Sequence, residues 1–143
     1  MIRSIDHIGI LTDNLQESIE FYTDVLGFSI SAKMEMDEIG LSIVFVEKNG
    51  SKIELMGLKN VPERAEDIKI QLGDRVLPIN DHITFSVDDI EATVTQLKGK
   101  NVTFEMDPIE LEGGMKLASL KDPGGVLIEL VEHPLESRKY GST

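Results

Sequence analysis

The sequence contains no cysteine and no tryptophan, and aromatic residues make up only 5% of its 143 residues. The lack of cysteine excludes disulfide bonds, thiolate catalysis and zinc-finger folding. Long hydrophobic runs are also missing, since no apolar stretch approaches the roughly 20 residues that a membrane helix needs. The first residues lack the apolar region of a secretory signal. We therefore expect a cytoplasmic protein that has no membrane partner.

Basic residues are scarce as well. Lysine and arginine number 14 against 26 acidic residues, which gives a formal net charge of -12. Nucleic acids and anionic membrane surfaces are bound through basic patches, so this balance argues against both as partners. With 41% hydrophobic and 28% charged residues, the composition is that of an ordinary globular domain. We expect the partner to be a small molecule.

The chain repeats itself at one fixed offset. Residues 6–8, Asp-His-Ile, return 75 positions later as residues 81–83. The same offset carries Ile-Glu-Leu at 53–55 onto Ile-Glu-Leu at 128–130. It also aligns two sets of apolar residues at helical spacing: Leu15, Ile19 and Tyr22 with Ile90, Val94 and Leu97. One offset that holds over several separate patches is typical of a duplicated structural unit.

Each unit has the pattern of one strand, one helix and three further strands. Alternating residues around the histidine predict the first strand, at about 4–11 and 80–87. The apolar residues that follow at helical spacing predict one buried helix face. Three strand-like runs complete each unit: 29–36, 41–47 and 52–56 in the first, and 102–105, 116–120 and 126–131 in the second. Asn49-Gly50 predicts a hairpin turn between the last two strands of the first unit.

The ends of the two helices carry recognisable capping residues. The N-cap candidates are Asp13 or Asn14 in the first unit and Asp88 or Asp89 in the second. The glycines expected just past the helix ends are Gly27 and Gly99.

This order of elements predicts an α+β fold. We expect a single domain over residues 1–143 that consists of two βαβββ modules, 1–58 and 79–133. The stretch 59–78 has no clear period beyond a possible short helical piece, so it is predicted to be the connection. The tail from 134 to 143 is expected to be loosely ordered.

Each unit places a histidine on its first strand and a glutamate on its last. Alternation along a strand puts these polar side chains on the face opposite their apolar neighbours. If the duplication arranges the two sheets around a pseudo-two-fold axis, His7, Glu54, His82 and Glu129 converge on one point. Two neutral imidazoles and two carboxylates suit one divalent ion such as Ni²⁺, Co²⁺, Mn²⁺, Fe²⁺ or Zn²⁺. A lone strand histidine is more often structural, and His133, which has no counterpart, is expected at the surface.

At these residues the chain resembles the vicinal oxygen chelate superfamily of glyoxalases, bleomycin resistance proteins and dioxygenases. The resemblance covers about residues 4–133. Its similar segments are 7–10, 18–22, 25–28, 82–89 and 122–132. It implies paired βαβββ modules that form an open, U-shaped sheet around a metal. Homodimers are common in this family, so we expect a homodimer.

The ligand set His, Glu, His, Glu is similar to that of bacterial glyoxalase I. This likeness implies a metal-dependent lyase or isomerase that moves a proton between adjacent carbons through a metal-bound enediolate. It also implies that Glu129 is the catalytic base and that Glu54 is its counterpart. The expected substrate is a hemithioacetal or thioester of glutathione or CoA. Candidate contacts for such an anionic carrier are Lys33, Lys116 and Lys121.

Two alternatives stay open. The runs 40–46 and 124–130 are similar to methylmalonyl-CoA epimerase, a related acyl-CoA isomerase. Against that match, the family's usual His-His pair is Asp81-His82, and Ile43 stands where some epimerases carry a carboxylate, for which Asp37 or Glu38 could substitute. The other alternative is a non-catalytic binding protein of the bleomycin-resistance kind. Such binders usually lack the full ligand set, so the four intact positions count against it.

Overall fold

The computed structural model describes residues 1–135 of the chain. These residues fall into two compact units, Met1–Glu63 and a second that begins at Arg64, and each is described by itself. The module boundaries 1–58 and 79–133 stay a prediction. The expectation of a loosely ordered tail falls, from residue 136 onward, outside the described residues. No helix within residues 1–135 is both long and apolar enough to cross a membrane.

The first unit contains one helix and one four-stranded sheet. Its elements are β1 (Ile8–Thr12), α1 (Leu15–Glu20), a π-helical turn (Phe21–Val25), β2 (Ser29–Met36), a 3₁₀ turn (Asp37–Ile39), β3 (Leu41–Lys48) and β4 (Ser51–Gly57). The strand order is β1-β4-β3-β2. β1 runs parallel to β4, whereas the other neighbours are antiparallel. This is the predicted βαβββ order.

The second unit repeats this arrangement after an additional hairpin. Its elements are β5 (Ile68–Leu72), β6 (Arg75–Ile79), β7 (His82–Ser86), α2 (Ile90–Gly99), β8 (Phe104–Glu110), β9 (Lys116–Lys121) and β10 (Leu127–Glu132). The four-stranded sheet has the order β7-β10-β9-β8, with β7 parallel to β10. Two open mixed sheets, each with one main helix, confirm the α+β prediction.

In each unit the helix covers one face of the sheet with apolar side chains. The buried residues of the first unit include Ile10, Tyr22, Val44, Val46, Ile53 and Leu55. Those of the second include Ile90, Val94, Leu97, Leu120, Ile128 and Leu130. The helical spacing therefore identified the buried face of α2 in full. Because side chains alternate along a strand, the glutamates at 54 and 129 lie on the opposite face.

In each unit the N-cap of the helix is the second of the two candidate residues. The side chain of Asn14 accepts a hydrogen bond from the Glu17 amide, and that of Asp89 accepts one from the Ala92 amide. The Gly99 prediction is wrong: Gly99 is still in α2, and the left-handed residue is Asn101, with φ 66°. Asparagine tolerates this conformation because its short polar side chain can hydrogen-bond locally.

The connection contains a hairpin rather than the short helical piece that the sequence suggested. Residues Ile68, Ile70 and Leu72 alternate with polar residues along β5. The two-residue turn that follows begins with Gly73, whose φ of 61° is typical of a type II′ turn. This alternation and turn chemistry were present in the sequence, and they are the signal that could have found the hairpin.

A buried pair of hydroxyls joins β1 to α1. The Thr12 hydroxyl oxygen accepts hydrogen bonds from the Ser18 hydroxyl at 2.9 Å and from the Asn14 amide at 3.1 Å. Both hydroxyl residues are almost fully buried. In the second unit the position equivalent to Thr12 is Val87. The hydroxyl pair is therefore an addition to the first unit rather than a requirement of the fold.

We expect Thr12→Val to destabilise the protein by about 1–3 kcal/mol, because it leaves the buried Ser18 hydroxyl and the part-buried Asn14 amide without their acceptor. The double variant Thr12→Val/Ser18→Ala is expected to lose less than the sum of the two single losses, since the second change removes one orphaned donor. Urea denaturation measures both. The control Thr95→Val, on an exposed part of α2, is expected to change stability by less than about 0.5 kcal/mol. Equal losses in both single variants would contradict the special role of Thr12.

Candidate metal-binding and catalytic residues

His7 lies immediately before β1 and is oriented by its neighbour in sequence. Its Nδ1 is 2.8 Å from a carboxylate oxygen of Asp6. Because an ionised carboxylate only accepts, Nδ1 is the protonated ring nitrogen, and in the neutral imidazole Nε2 then carries the lone pair. Nε2 in turn lies 3.9 Å from Oε1 of Glu54, on β4. The parallel pairing of β1 with β4 brings these two residues together.

His82 has the same arrangement in the second unit, but a different group contacts its Nδ1. It is the first residue of β7, and its Nδ1 lies 2.6 Å from the backbone oxygen of Asn80. A carbonyl can only accept, so Nδ1 is again the donor, and in the neutral imidazole Nε2 again carries the lone pair. Nε2 lies 3.9 Å from Oε2 of Glu129, on β10. The two units thus present the same pair of groups at the same separation.

A separation of 3.9 Å is too long for a hydrogen bond between the two side chains. It lies within the range for two donors of one cation: ligands about 2.1 Å from a metal are about 3.0–3.4 Å apart at octahedral or tetrahedral angles and about 4.2 Å apart when they are opposite each other. All four side chains also retain solvent access, the histidines at 34% and 36% and the glutamates at 18% and 24%. The donor chemistry and the spacing within each pair are therefore suited to a divalent ion.

Each unit by itself offers only two of the four predicted ligands. Within residues 1–135 no group of three or more His, Asp or Glu side chains is gathered as a metal centre would require. The structure places His7 near Glu54 and His82 near Glu129. A single centre formed by all four residues stays a prediction.

The flanks of the two glutamates differ. In the sheet register, Glu54 lies between Gly9 and Phe45. A Cβ on Gly9 would approach Glu54 Oε1 to 3.3 Å, so glycine leaves room for the carboxylate. The ring of Phe45 meets the His7 ring edge to face, with centroids 5.4 Å apart. The first pair is therefore bordered by an apolar wall.

The second glutamate is bordered by hydroxyl groups instead. In the register, Glu129 lies between Thr84 and Ser119. The Thr84 hydroxyl is 3.5 Å from Glu129 Oε1, a long hydrogen bond. The Ser119 hydroxyl is buried and has no hydrogen-bond partner within residues 1–135. Sequence reasoning missed these neighbours because strand register is not visible in a local pattern.

The other residues singled out in the sequence have ordinary surroundings. His133 is exposed, as expected. Ile43 is buried, whereas Asp37 and Glu38 lie in the exposed 3₁₀ turn after β2. Of the lysines, Lys33 is exposed, Lys116 lies 3.9 Å from Glu132, and Lys121 forms an ion pair with Asp67 at 2.9 Å.

Comparison with known proteins agrees with this architecture. The family model described as the Glyoxalase/Bleomycin resistance protein/Dioxygenase superfamily matches residues 4–130. A probable lactoylglutathione lyase of Vibrio parahaemolyticus is 34% identical over 133 residues, which cover 89% of this chain and 88% of the relative. The mitochondrial methylmalonyl-CoA epimerase of Homo sapiens is 31% identical over 129 residues, 88% of this chain and 72% of the relative.

Solved structures share the fold. A glyoxalase family protein from Enterococcus faecalis superposes with a TM-score of 0.75 at 22% identity, covering 91% of this chain and 98% of that chain. A trypanothione-dependent glyoxalase I from Leishmania major gives a TM-score of 0.71 at 25% identity, covering 96% and 92%. The likeness extends over nearly the whole length of each protein, so it includes both βαβββ units.

The contact between Asp6 and His7 also changes the pKa of the Asp6 carboxyl. The hydrogen bond with His7, and secondly the positive charge of Lys52, hold the pKa of the Asp6 carboxyl below its ordinary value of 3.8. A carboxyl whose folded-state pKa is depressed stabilises the fold at pH values above its unfolded pKa. This contribution is lost as the pH falls through the folded-state pKa.

We expect ¹³C NMR titration to place the pKa of Asp6 below 3.8. His7→Ala should return it most of the way to the ordinary value, because the hydrogen bond is the larger cause, whereas Lys52→Met should raise it less. An equal rise in both variants would show that charge alone, rather than the bond to His7, sets the pKa.

Proposed function

Because the chain belongs to the Glyoxalase/Bleomycin resistance protein/Dioxygenase superfamily, we propose that it is a metal-dependent lyase or isomerase of the glyoxalase I type. Its reaction moves a proton between adjacent carbons of a thiol-linked small molecule, next to a carbonyl group. The observation that carries this proposal is the repeated His–Glu pair. In both units Nε2, which carries the lone pair of the neutral imidazole, lies 3.9 Å from a glutamate oxygen.

We propose that His7, Glu54, His82 and Glu129 hold one divalent ion. One pair supplies two protein donors, fewer than the three or four that zinc sites use, so binding requires both pairs, from one chain or from two chains of a homodimer. Imidazole nitrogens and carboxylate oxygens suit Ni²⁺, Co²⁺, Mn²⁺, Fe²⁺ and Zn²⁺. When bound, such an ion supplies Lewis acidity beside the substrate oxygens.

Within this proposal the glutamates move the proton. Glu129 takes it from one carbon and returns it to the next, and Glu54 is its counterpart in the first unit. Glu129 is supported for this task by a hydroxyl neighbour: Thr84 can donate to Oε1, while Oε2 is the oxygen nearer to His82. A carboxylate held in this way keeps one oxygen directed to its partner, which lowers the entropic cost of proton transfer.

Methylmalonyl-CoA epimerisation is the second candidate function. It is favoured by relatives of that name, at 31% identity in Homo sapiens and 35% in Dictyostelium discoideum. The same pairs would serve, but the proton would return to the carbon it left, on the other face. The burial of Ile43, where some epimerases carry a carboxylate, weakens this candidate. Asp37 and Glu38 are exposed in a separate turn.

The metal proposal predicts the composition of the purified protein. After stripping and reloading with Ni²⁺, Co²⁺, Mn²⁺ or Zn²⁺, we expect elemental analysis to find about one ion per chain, as for a mononuclear centre. The variant His7→Ala/His82→Ala should lose it, whereas the control His133→Ala should keep it. Native protein without a specific metal would overturn the proposal and favour a non-catalytic binding protein of the bleomycin-resistance kind.

The catalytic proposal predicts that Glu129→Gln lowers turnover by about 100-fold or more, the usual contribution of a general base. Assays with the methylglyoxal–glutathione hemithioacetal and with methylmalonyl-CoA measure this loss and decide between the two functions. Glu132→Gln is the matched control, because Glu132 is on the same strand and its side chain instead accepts from the Ile90 amide. Full activity of Glu129→Gln would remove Glu129 from proton transfer.

A further inference from the structure

The segment before β5 contains a buried carboxylate. The side chain of Asp67 is only 6% exposed. One of its oxygens lies 2.9 Å from the Lys121 ammonium on β9. Its other oxygen accepts a hydrogen bond of 3.4 Å from the side-chain amide of Asn80. Asp67 therefore links the connecting segment both to the four-stranded sheet and to the residues just before β7.

Asn80 makes a second contact that reaches the candidate site. Its backbone oxygen is the acceptor for Nδ1 of His82, at 2.6 Å. Three contacts therefore connect Lys121 to His82. Lys121 contacts Asp67, Asp67 contacts the side chain of Asn80, and the backbone oxygen of Asn80 contacts the imidazole of His82. Lys121 and His82 also lie in one row of the sheet, since both are paired in register with Leu127. The Lys121–Asp67 pair thus lies in the same row of the sheet as His82, on the other side of β10.

The cost of burying Asp67 indicates that its two partners matter. A buried carboxylate is strongly unfavourable unless charged and hydrogen-bonding groups compensate it. Lys121 compensates the charge, and the same hydrogen bond raises the pKa of the Lys121 ammonium above its ordinary 10.5. Asn80 occupies the remaining oxygen. Because the Asp67 side chain is only 6% exposed, both contacts are better shielded from water than those of a surface ion pair.

The equivalent histidine needs no such arrangement. His7 is oriented by the carboxylate of its own neighbour, Asp6. The residue at that position in the second unit is also an aspartate, Asp81, but the contact of His82 Nδ1 is instead with the backbone oxygen of Asn80, in the bend before β7. A backbone oxygen in a bend is fixed only if the bend is fixed. The side chain of Asn80, held by Asp67, provides that constraint.

We propose that Asp67 is a positioning residue for His82, acting through Asn80. By holding the Asn80 side chain, it fixes the peptide oxygen that keeps the proton of His82 on Nδ1 and leaves the Nε2 lone pair facing Glu129. This inference rests on the proposed role of His82 as a metal ligand. It assigns to the connecting segment the task of keeping one of the two histidines ready to bind.

Metal-free protein tests the positioning directly. ¹⁵N NMR at pH 9, where an ordinary imidazole is neutral, reports which ring nitrogen of each histidine carries the proton. We expect Asp67→Ala to shift His82 from the Nδ1–H form toward the Nε2–H form while the His7 signals stay unchanged. Asp67→Asn, which keeps an oxygen for the Asn80 amide, should restore most of the Nδ1–H form. Asp6→Ala is the converse control and should change only His7.

Asn80→Ala separates positioning from general stability. It keeps the backbone oxygen but cuts the link to Asp67, so we expect the same change at His82 as in Asp67→Ala. This variant also serves where Asp67→Ala fails to fold. An unchanged His82 in Asn80→Ala, or in a folded Asp67→Ala, would overturn the proposal.

Metal affinity distinguishes this inference from the proposed function. In competition titrations with Zn²⁺, we expect Asp67→Ala to weaken binding about tenfold, as loss of an outer-shell support does, and Asp67→Asn to restore most of it. If the unaltered protein binds no Zn²⁺, Ni²⁺, Co²⁺ or Mn²⁺, the metal proposal fails, and the NMR spectra still decide whether Asp67 orients His82. If the metal binds but Asp67→Ala binds it equally well and leaves His82 unchanged, only the inference fails.

Discussion

The parallel pairing of the first strand with the last is the contact on which each unit depends. β1 lies beside β4, and β7 beside β10, which brings a histidine from the start of the module next to a glutamate from its end. A parallel pair needs a crossover connection, and the helix supplies it while covering the opposite face. A slip of one residue in this register would turn the glutamate toward the helix and the apolar core.

Much of this architecture was predictable because local sequence patterns indicate the helices and strands. The repeat offset, the alternation of strands and the helical spacing predicted the βαβββ order of both units, with a histidine at the start and a glutamate on the last strand of each. Register, by contrast, is set by pairing between distant segments. The neighbours of the glutamates, Gly9 and Phe45 or Thr84 and Ser119, therefore did not follow from the sequence. The β5–β6 hairpin was missed although its alternation was present.

Both units contain a His–Glu pair, but different groups orient the histidine in each. Asp6 orients the first histidine with a carboxylate, whereas Asn80 orients the second with a backbone oxygen. Yet the distance from Nε2 to the glutamate is 3.9 Å in both. The groups that orient the two histidines differ, but the distance from Nε2 to the glutamate is the same, so we infer that this distance is what matters for the protein. This favours a shared task for the pairs over a purely structural role for each histidine.

Charge gives the final reason to expect a cation at these residues. In a chain of net charge -12, a divalent cation at these residues would offset the negative charge of the two glutamates. The glutamates do not hydrogen-bond to the histidines, since 3.9 Å is beyond that range. A pair of carboxylates with two imidazole lone pairs matches the charge and the donors that one divalent ion requires. The proposed metal thus agrees with the charge and the donor atoms that the two pairs present.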